Sequence, residues 1–212
     1  NAAPAMAPWG GAEPFVGTNP IAIGIYTGQE MVFCADMATS IVARGKIRQE
    51  ARRGNPIPSD WALDSEGNPT TDPNQALLGT LLPMGGPKGS AIALAVDILS
   101  GMVAGAEHAP NLLSFHATEG KTGVGASLIV VDIQKFLPLD EFKTSMDEYI
   151  QAMKSMKKAS FSSEVFLPGE IEYKRDLDSQ AHGITLDDQA IEKLNILLEK
   201  IGSDHRLKPN DA

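Results

Sequence analysis

Apolar positions form short runs in the first two thirds of the chain and helical stripes in the last third. Residues 1 to 20, rich in Pro, Gly and Ala, read as an irregular entry segment. Ile21 to Ile25 and Met31 to Cys34 flank Thr27-Gly28-Gln29, which predicts two strands joined by a turn. Thr39 and Ser40 are N-cap candidates for a helix from Ile41 to about Arg53, stopped by Gly54-Asn55-Pro56. Asp64 to Asn74 reads as a loop. Ser90 to Val103 is apolar around most of a helical circumference, which predicts a buried helix, at a core or a subunit interface. The β-branched run from Ser127 to Ile133 is the clearest predicted strand. Asp140 is expected to cap a helix with Phe142, Met146, Ile150, Met153 and Met156 on one stripe. Val165 to Leu167 predicts a short strand ending at Pro168-Gly169. Thr185-Leu186-Asp187-Asp188 opens a last helix, with Ile191, Leu194, Leu198 and Ile201 on one face and a stop at Gly202.

This alternation predicts a mixed α/β fold. No G-x-G-x-x-G follows a strand and no G-x-x-x-x-G-K-[ST] is present, so a doubly wound Rossmann sheet is not expected. Near Phe136 a Gly/Pro-rich, lightly charged stretch gives way to a helical, strongly charged one. The expected division is residues 1–134 and a C-terminal helical segment, 135–212.

The chain has 212 residues, 42% of them apolar, and a formal net charge of -9. That acidity argues against nucleic-acid binding, which needs clustered Lys and Arg. The most apolar stretch, Ala91 to Ala106, is interrupted by Asp97, Ser100, Gly101 and Gly105, so no membrane span is expected. Cys34 is the lone cysteine, which points to a reducing, cytoplasmic setting. The start at Asn1, with neither Met nor a signal pattern, reads as part of a longer or processed chain.

Candidate chemistry centres on glycine turns. Gly85-Gly86-Pro87-Lys88-Gly89 precedes a helix, where free N–H groups and a Lys suit a pyrophosphate; taken alone, a plain turn with a solvated Lys is the favoured explanation. Asp36-Met37-Ala38-Thr39-Ser40 leads from a strand to a helix, so Asp36 suits a ribose or nicotinamide, or simply the helix N-terminus. Gly17-Thr18-Asn19-Pro20 and Pro168-Gly169-Glu170 are turns first and ligand contacts second. His108, His116, His182 and His205 lack metal-ligand spacing, so no metal site is expected. His182, before Gly183, fits a helix C-terminus.

The order of these segments carries more than any one of them. Trp9-Gly10-Gly11, Gly17-Thr18-Asn19-Pro20, Asp36-Met37-Ala38-Thr39-Ser40 and Gly45-Lys46-Ile47 resemble the malate/L-lactate dehydrogenase family, which includes ureidoglycolate, sulfolactate and diketogulonate oxidoreductases. The likeness continues through Trp61-Ala62-Leu63-Asp64, Pro69-Thr70-Thr71-Asp72-Pro73, Leu82-Pro83-Met84-Gly85-Gly86-Pro87-Lys88-Gly89, Leu167-Pro168-Gly169-Glu170 and His182-Gly183-Ile184.

The resemblance implies a homodimeric enzyme that binds NAD or NADP on a non-Rossmann sheet and interconverts 2-hydroxy and 2-oxo acids. It implies cofactor contacts at Asp36, Met37, Ala38, Pro87, Lys88, Pro168, Gly169 and Glu170, with Thr18 near the nicotinamide or substrate. It also implies that the proton-transferring His and the substrate-gripping Arg lie upstream of Asn1, in a separate or preceding N-terminal piece. No catalytic residue is therefore assigned here. The alternative is a nucleotide-binding or dimerisation module without catalysis of its own.

Overall fold

The computed structural model describes residues 1–208, apart from His116 and Asp187. It is a mixed helix and strand architecture with two small sheets. The chain forms two compact units, Asn1–Gly169 and one beginning at Glu170.

In the first unit β1 (Ile21–Ile25) and β2 (Phe33–Met37) form an antiparallel hairpin in which Ala22 faces Asp36 and Gly24 faces Cys34. Its connecting loop holds Thr27-Gly28-Gln29, as the pattern predicted. A second pair, β3 (Ala62–Leu63) with β4 (Thr80–Leu81), is too short to register as a sequence pattern. Met6 stitches this pair to the entry segment by bridging both Val16 and Leu81. Met6, Val16, Ile47 and Leu81 are fully buried and, with Ala62 and Ala93, form the core.

Helix α1 (Arg44–Arg53) starts later than Ile41, because the expected caps are used elsewhere. Thr39 Oγ1 donates to Thr18 O and Ser40 Oγ to Val42 O. The helix ends as predicted at Gly54, with φ 70 and Asn55 N–H donating to Glu50 O. The predicted loop from Asp64 to Asn74 runs two residues too far. α2 (Pro73–Leu78) begins inside it, with Pro73 in its first turn and the Asp72 side chain accepting from Asn74 N–H.

Helix α3 (Pro87–Asp97) continues as a π-helical segment, Ile98–Val103. Within this chain burial reaches one side of the helix, short of the burial on most faces expected of an assembled protein. Small residues (Gly89, Ser90, Ala93, Ser100, Gly101) make the close-packed face, while Ile92, Ile98, Leu99, Met102 and Val103 are exposed.

The strand expected from Ser127 to Ile133 is also corrected. The segment pairs with no strand among the described residues, and Leu128 and Val130 are 89% and 82% exposed. Propensity supplies the extended sequence, but a strand needs an edge to pair with. Val165–Leu167 likewise forms no strand, although Leu167 is buried.

α4 (Leu139–Lys154) follows Pro138, so Asp140 lies in the first turn instead of capping, and Ile150 of the predicted stripe is buried. In the second unit α5 (Glu170–His182) was missed by the periodicity and ends on His182 and Gly183, the latter at φ 81. α6 (Asp188–Lys200) matches the last predicted helix, with Asn195 clamping both the N–H and the C=O of Leu207. Asp187 of its expected capping box lies outside the described residues. No described helix is long and apolar enough to cross a membrane.

Candidate functional site

β2 and the backbone that continues it to Ile41 form a spine on which the singled-out turns converge. At its start, Cys34 N–H donates to Pro168 O at 3.1 Å. Gly169 packs so closely here that a Cβ would stand 2.8 Å from Cys34 O and 2.9 Å from Cys34 Cβ. Its φ of 88 adds a second demand for glycine. Two residues on, Asp36 shares a face with Cys34 because side chains alternate along a strand, and it is exposed opposite Ala22. Met37 is exposed and Ala38 half-buried.

The spine then meets Thr18 and the turn before α3. Thr39 N–H and Oγ1 both donate to Thr18 O, at 2.8 and 2.9 Å. Thr39 O accepts from Met84 N–H at 2.9 Å, and Ile41 N–H donates to Leu82 O at 2.9 Å. Three residues beyond Met84 the chain reaches Pro87 and Lys88, at the N-terminus of α3, and the Lys88 side chain is exposed. Thus Thr18, Asp36 to Ala38, Pro168 and Gly169 are bonded or adjacent to one backbone stretch, and Pro87 and Lys88 follow closely from it. Glu170 belongs to the second unit, where it pairs with Lys174 at 2.9 Å.

Two residues that hold this arrangement escaped the sequence reading. Asn19 is fully buried at φ 24, with Oδ1 accepting from Ala2 N–H and Nδ2 donating to Ala93 O at 2.8 Å. Asn tolerates that left-handed backbone better than most residues, and its place in Gly-Thr-Asn-Pro was the available signal. Asp147 on α4 accepts from the N–H groups of Gly28, Gln29 and Glu30 at 2.9, 2.7 and 3.2 Å. The Gln29 N–H contributes most to holding its carboxyl below the usual carboxylate range; partial desolvation opposes this, and Gly28 and Glu30 add to it.

None of the bonds that build the spine involves a histidine. His108 is half-buried, His182 pairs with Asp178 at the end of α5, His205 is exposed, and His116 lies outside the described residues. No three His, Cys, Asp or Glu side chains cluster as metal ligands among the described residues. Two cavities, of about 410 Å³ along α6 and about 340 Å³ beside Tyr26, Ile133 and Leu139, are lined by none of these spine residues.

The arrangement is a mixed fold that brings glycine turns and an exposed carboxylate to one strand, with the exposed Lys88 four residues along the chain from the Met84 bond. The model of the malate/L-lactate dehydrogenase family matches residues 1–195. The chain belongs to the malate/L-lactate dehydrogenase family. It is similar to an L-sulfolactate dehydrogenase of Methanothermobacter thermautotrophicus, 41% identical over 92% of this chain and 55% of that protein. It is also similar to a (2R)-3-sulfolactate dehydrogenase (NADP(+)) of Chromohalobacter salexigens, 38% identical over 80% of this chain and 49% of that protein. The solved sulfolactate dehydrogenase of Methanocaldococcus jannaschii superposes with a TM-score of 0.85 at 38% identity, covering 96% of this chain and 58% of that one. The chain spans about half the length of these relatives.

Proposed function

We propose that this chain is the cofactor-binding part of an NAD(P)-dependent oxidoreductase that interconverts 2-hydroxy and 2-oxo acids. The observation that carries the reading is the convergence of the Thr18, Asp36 and Pro168-Gly169 segments, with the Pro87-Lys88 turn, on the β2 spine, in a member of this family. The relatives' names, of dehydrogenases and reductases, do not favour a module without catalysis.

The residues present fit a dinucleotide. Gly85, with nothing within 4 Å of the place a Cβ would take, leaves the backbone before Pro87-Lys88 open to close approach, while Gly86 and Gly169 are packed against Trp9 and Cys34. Lys88 and the first N–H groups of α3 would take the pyrophosphate, and Asp36 would accept from a ribose or carboxamide. Met37, Ala38, Pro168 and Gly169 complete the proposed contacts, with Thr18 near the nicotinamide or the acid. When bound, the dinucleotide exchanges a hydride with the 2-carbon of the acid. The protein must then hold the substrate carboxylate and move a proton at its 2-oxygen. No histidine stands on the spine, so we assign both tasks to polypeptide beyond residues 1–212.

In this reading residues 1–134 are the cofactor domain, built on a non-Rossmann sheet, and 135–212 pack against the rest of a cytoplasmic, homodimeric enzyme. The test is titration of the full-length enzyme with NADH and NADPH, for the parent and for Lys88→Ala. Loss of one charge-assisted hydrogen bond costs about 1.5–3 kcal/mol, so the variant should bind at least about tenfold more weakly. Its stability should stay within about 0.5 kcal/mol, because Lys88 is exposed. Parent-like binding by the variant removes Lys88 from the site. A parent that binds neither dinucleotide overturns the reading.

A further inference from the structure

Trp9 is 64% exposed, yet it is firmly held. Its backbone N–H donates to Ser90 Oγ at 2.9 Å, and a turn closes behind it through Gly11 N–H to Pro8 O at 2.8 Å. Its six-membered ring packs against Gly86: a Cβ there would stand 2.9 Å from Cζ3, 3.3 Å from Cε3 and 3.4 Å from Cη2. Gly86 immediately precedes Pro87-Lys88. Trp61 differs. It is half-buried, and Lys46 Nζ sits 5.1 Å from its ring centroid. Trp9 therefore spends a large, rigid aromatic surface on water. Indole earns most of its free energy when covered.

We propose that the Trp9 indole stacks on a planar heterocycle of the bound dinucleotide. In any such ligand each ring lies one ribose away from the pyrophosphate. A cation that takes the phosphates and a flat side chain packed on the same turn therefore match neighbouring parts of one molecule. Stacking on an aromatic side chain needs no hydrogen-bond pattern, so adenine and nicotinamide both satisfy the chemistry. The inference rests on the cofactor reading of the Lys88 turn and adds a residue that reading does not assign.

The experiment uses the full-length enzyme as parent, Trp9→Ala, Trp9→Phe and Trp61→Phe. Trp9→Ala should weaken NADH and NADPH binding roughly fivefold to a hundredfold, while Trp9→Phe, which keeps a stacking ring, stays within about threefold. Melting should change little, since the indole is mostly exposed. Energy transfer from tryptophan to bound NADH should persist in Trp61→Phe and drop in Trp9→Phe. That readout stands even if the Ala variant fails to fold. Quenching of Trp9 by AMP places adenine on it, and quenching by nicotinamide mononucleotide places nicotinamide there; either supports the proposal. Parent-like affinity in Trp9→Ala, or undiminished transfer in Trp9→Phe, overturns it and leaves the cofactor reading intact. A parent that binds neither dinucleotide overturns both.

Discussion

Single residues divide into those whose chemistry is written locally and those that matter through distant partners. Gly54 and His182 were legible because helix ends obey local rules. Asn19 and Asp147 were not, because their partners lie far along the chain, at Ala93 and at Gly28 to Glu30. Asp147 makes a prediction about acid. Its folded carboxyl sits below the usual range, so it stabilises fully above the unfolded value, about 3.9, and loses that contribution as pH falls through the folded value. The melting-temperature difference between parent and Asp147→Asn should be largest above about pH 5 and should shrink steadily below about pH 4. Thermal scans across that range check it; a difference that grows in acid contradicts the assignment.

At the scale of elements, the hairpin was legible from two apolar runs flanking a turn, although its second strand lies at Phe33–Met37 instead of Met31 to Cys34, and the last helix from its apolar face and start signal. The strand at Ser127 was not, because strand formation depends on neighbours that sequence pattern does not name. α5 was missed for the opposite reason: its apolar positions are too sparse to make a stripe. Of the candidate site, the separate segments were visible, while their meeting along β2 was not, since pairing by backbone hydrogen bonds leaves no side-chain signature. The contact between β2 and the turn before α5 gives a prediction. Gly169→Ala would force a Cβ to within 2.8 Å of Cys34 O at a backbone φ of 88. We expect a loss of about 1–3 kcal/mol in urea unfolding, together with weaker NADH binding. Parent-like values in both would mean that the turn relaxes freely.

At the scale of the whole molecule, Leu128 to Val131 are exposed on both faces, and Leu99, whose carbonyl accepts from Ser127 Oγ at 2.6 Å, is exposed beside them. An apolar surface of this kind favours association in water. Residues 1–212 expressed alone should bind the dye ANS strongly and scatter light as concentration rises. Replacing Leu128 and Val130 by Lys together should reduce both signals; unchanged scattering would point to another surface. The bond from Cys34 N–H to Pro168 O has a consequence for synthesis on the ribosome. The amino end of the spine emerges early, but the turn that completes it comes near the end of the first unit. A nascent chain can thus form the hairpin promptly and still lack this bond until Pro168 has left the exit tunnel. This is a high-contact-order junction, and such junctions form late because their loop must close first. A ligand held there would stabilise only the finished fold, through mass action, and would give no help to its early intermediates.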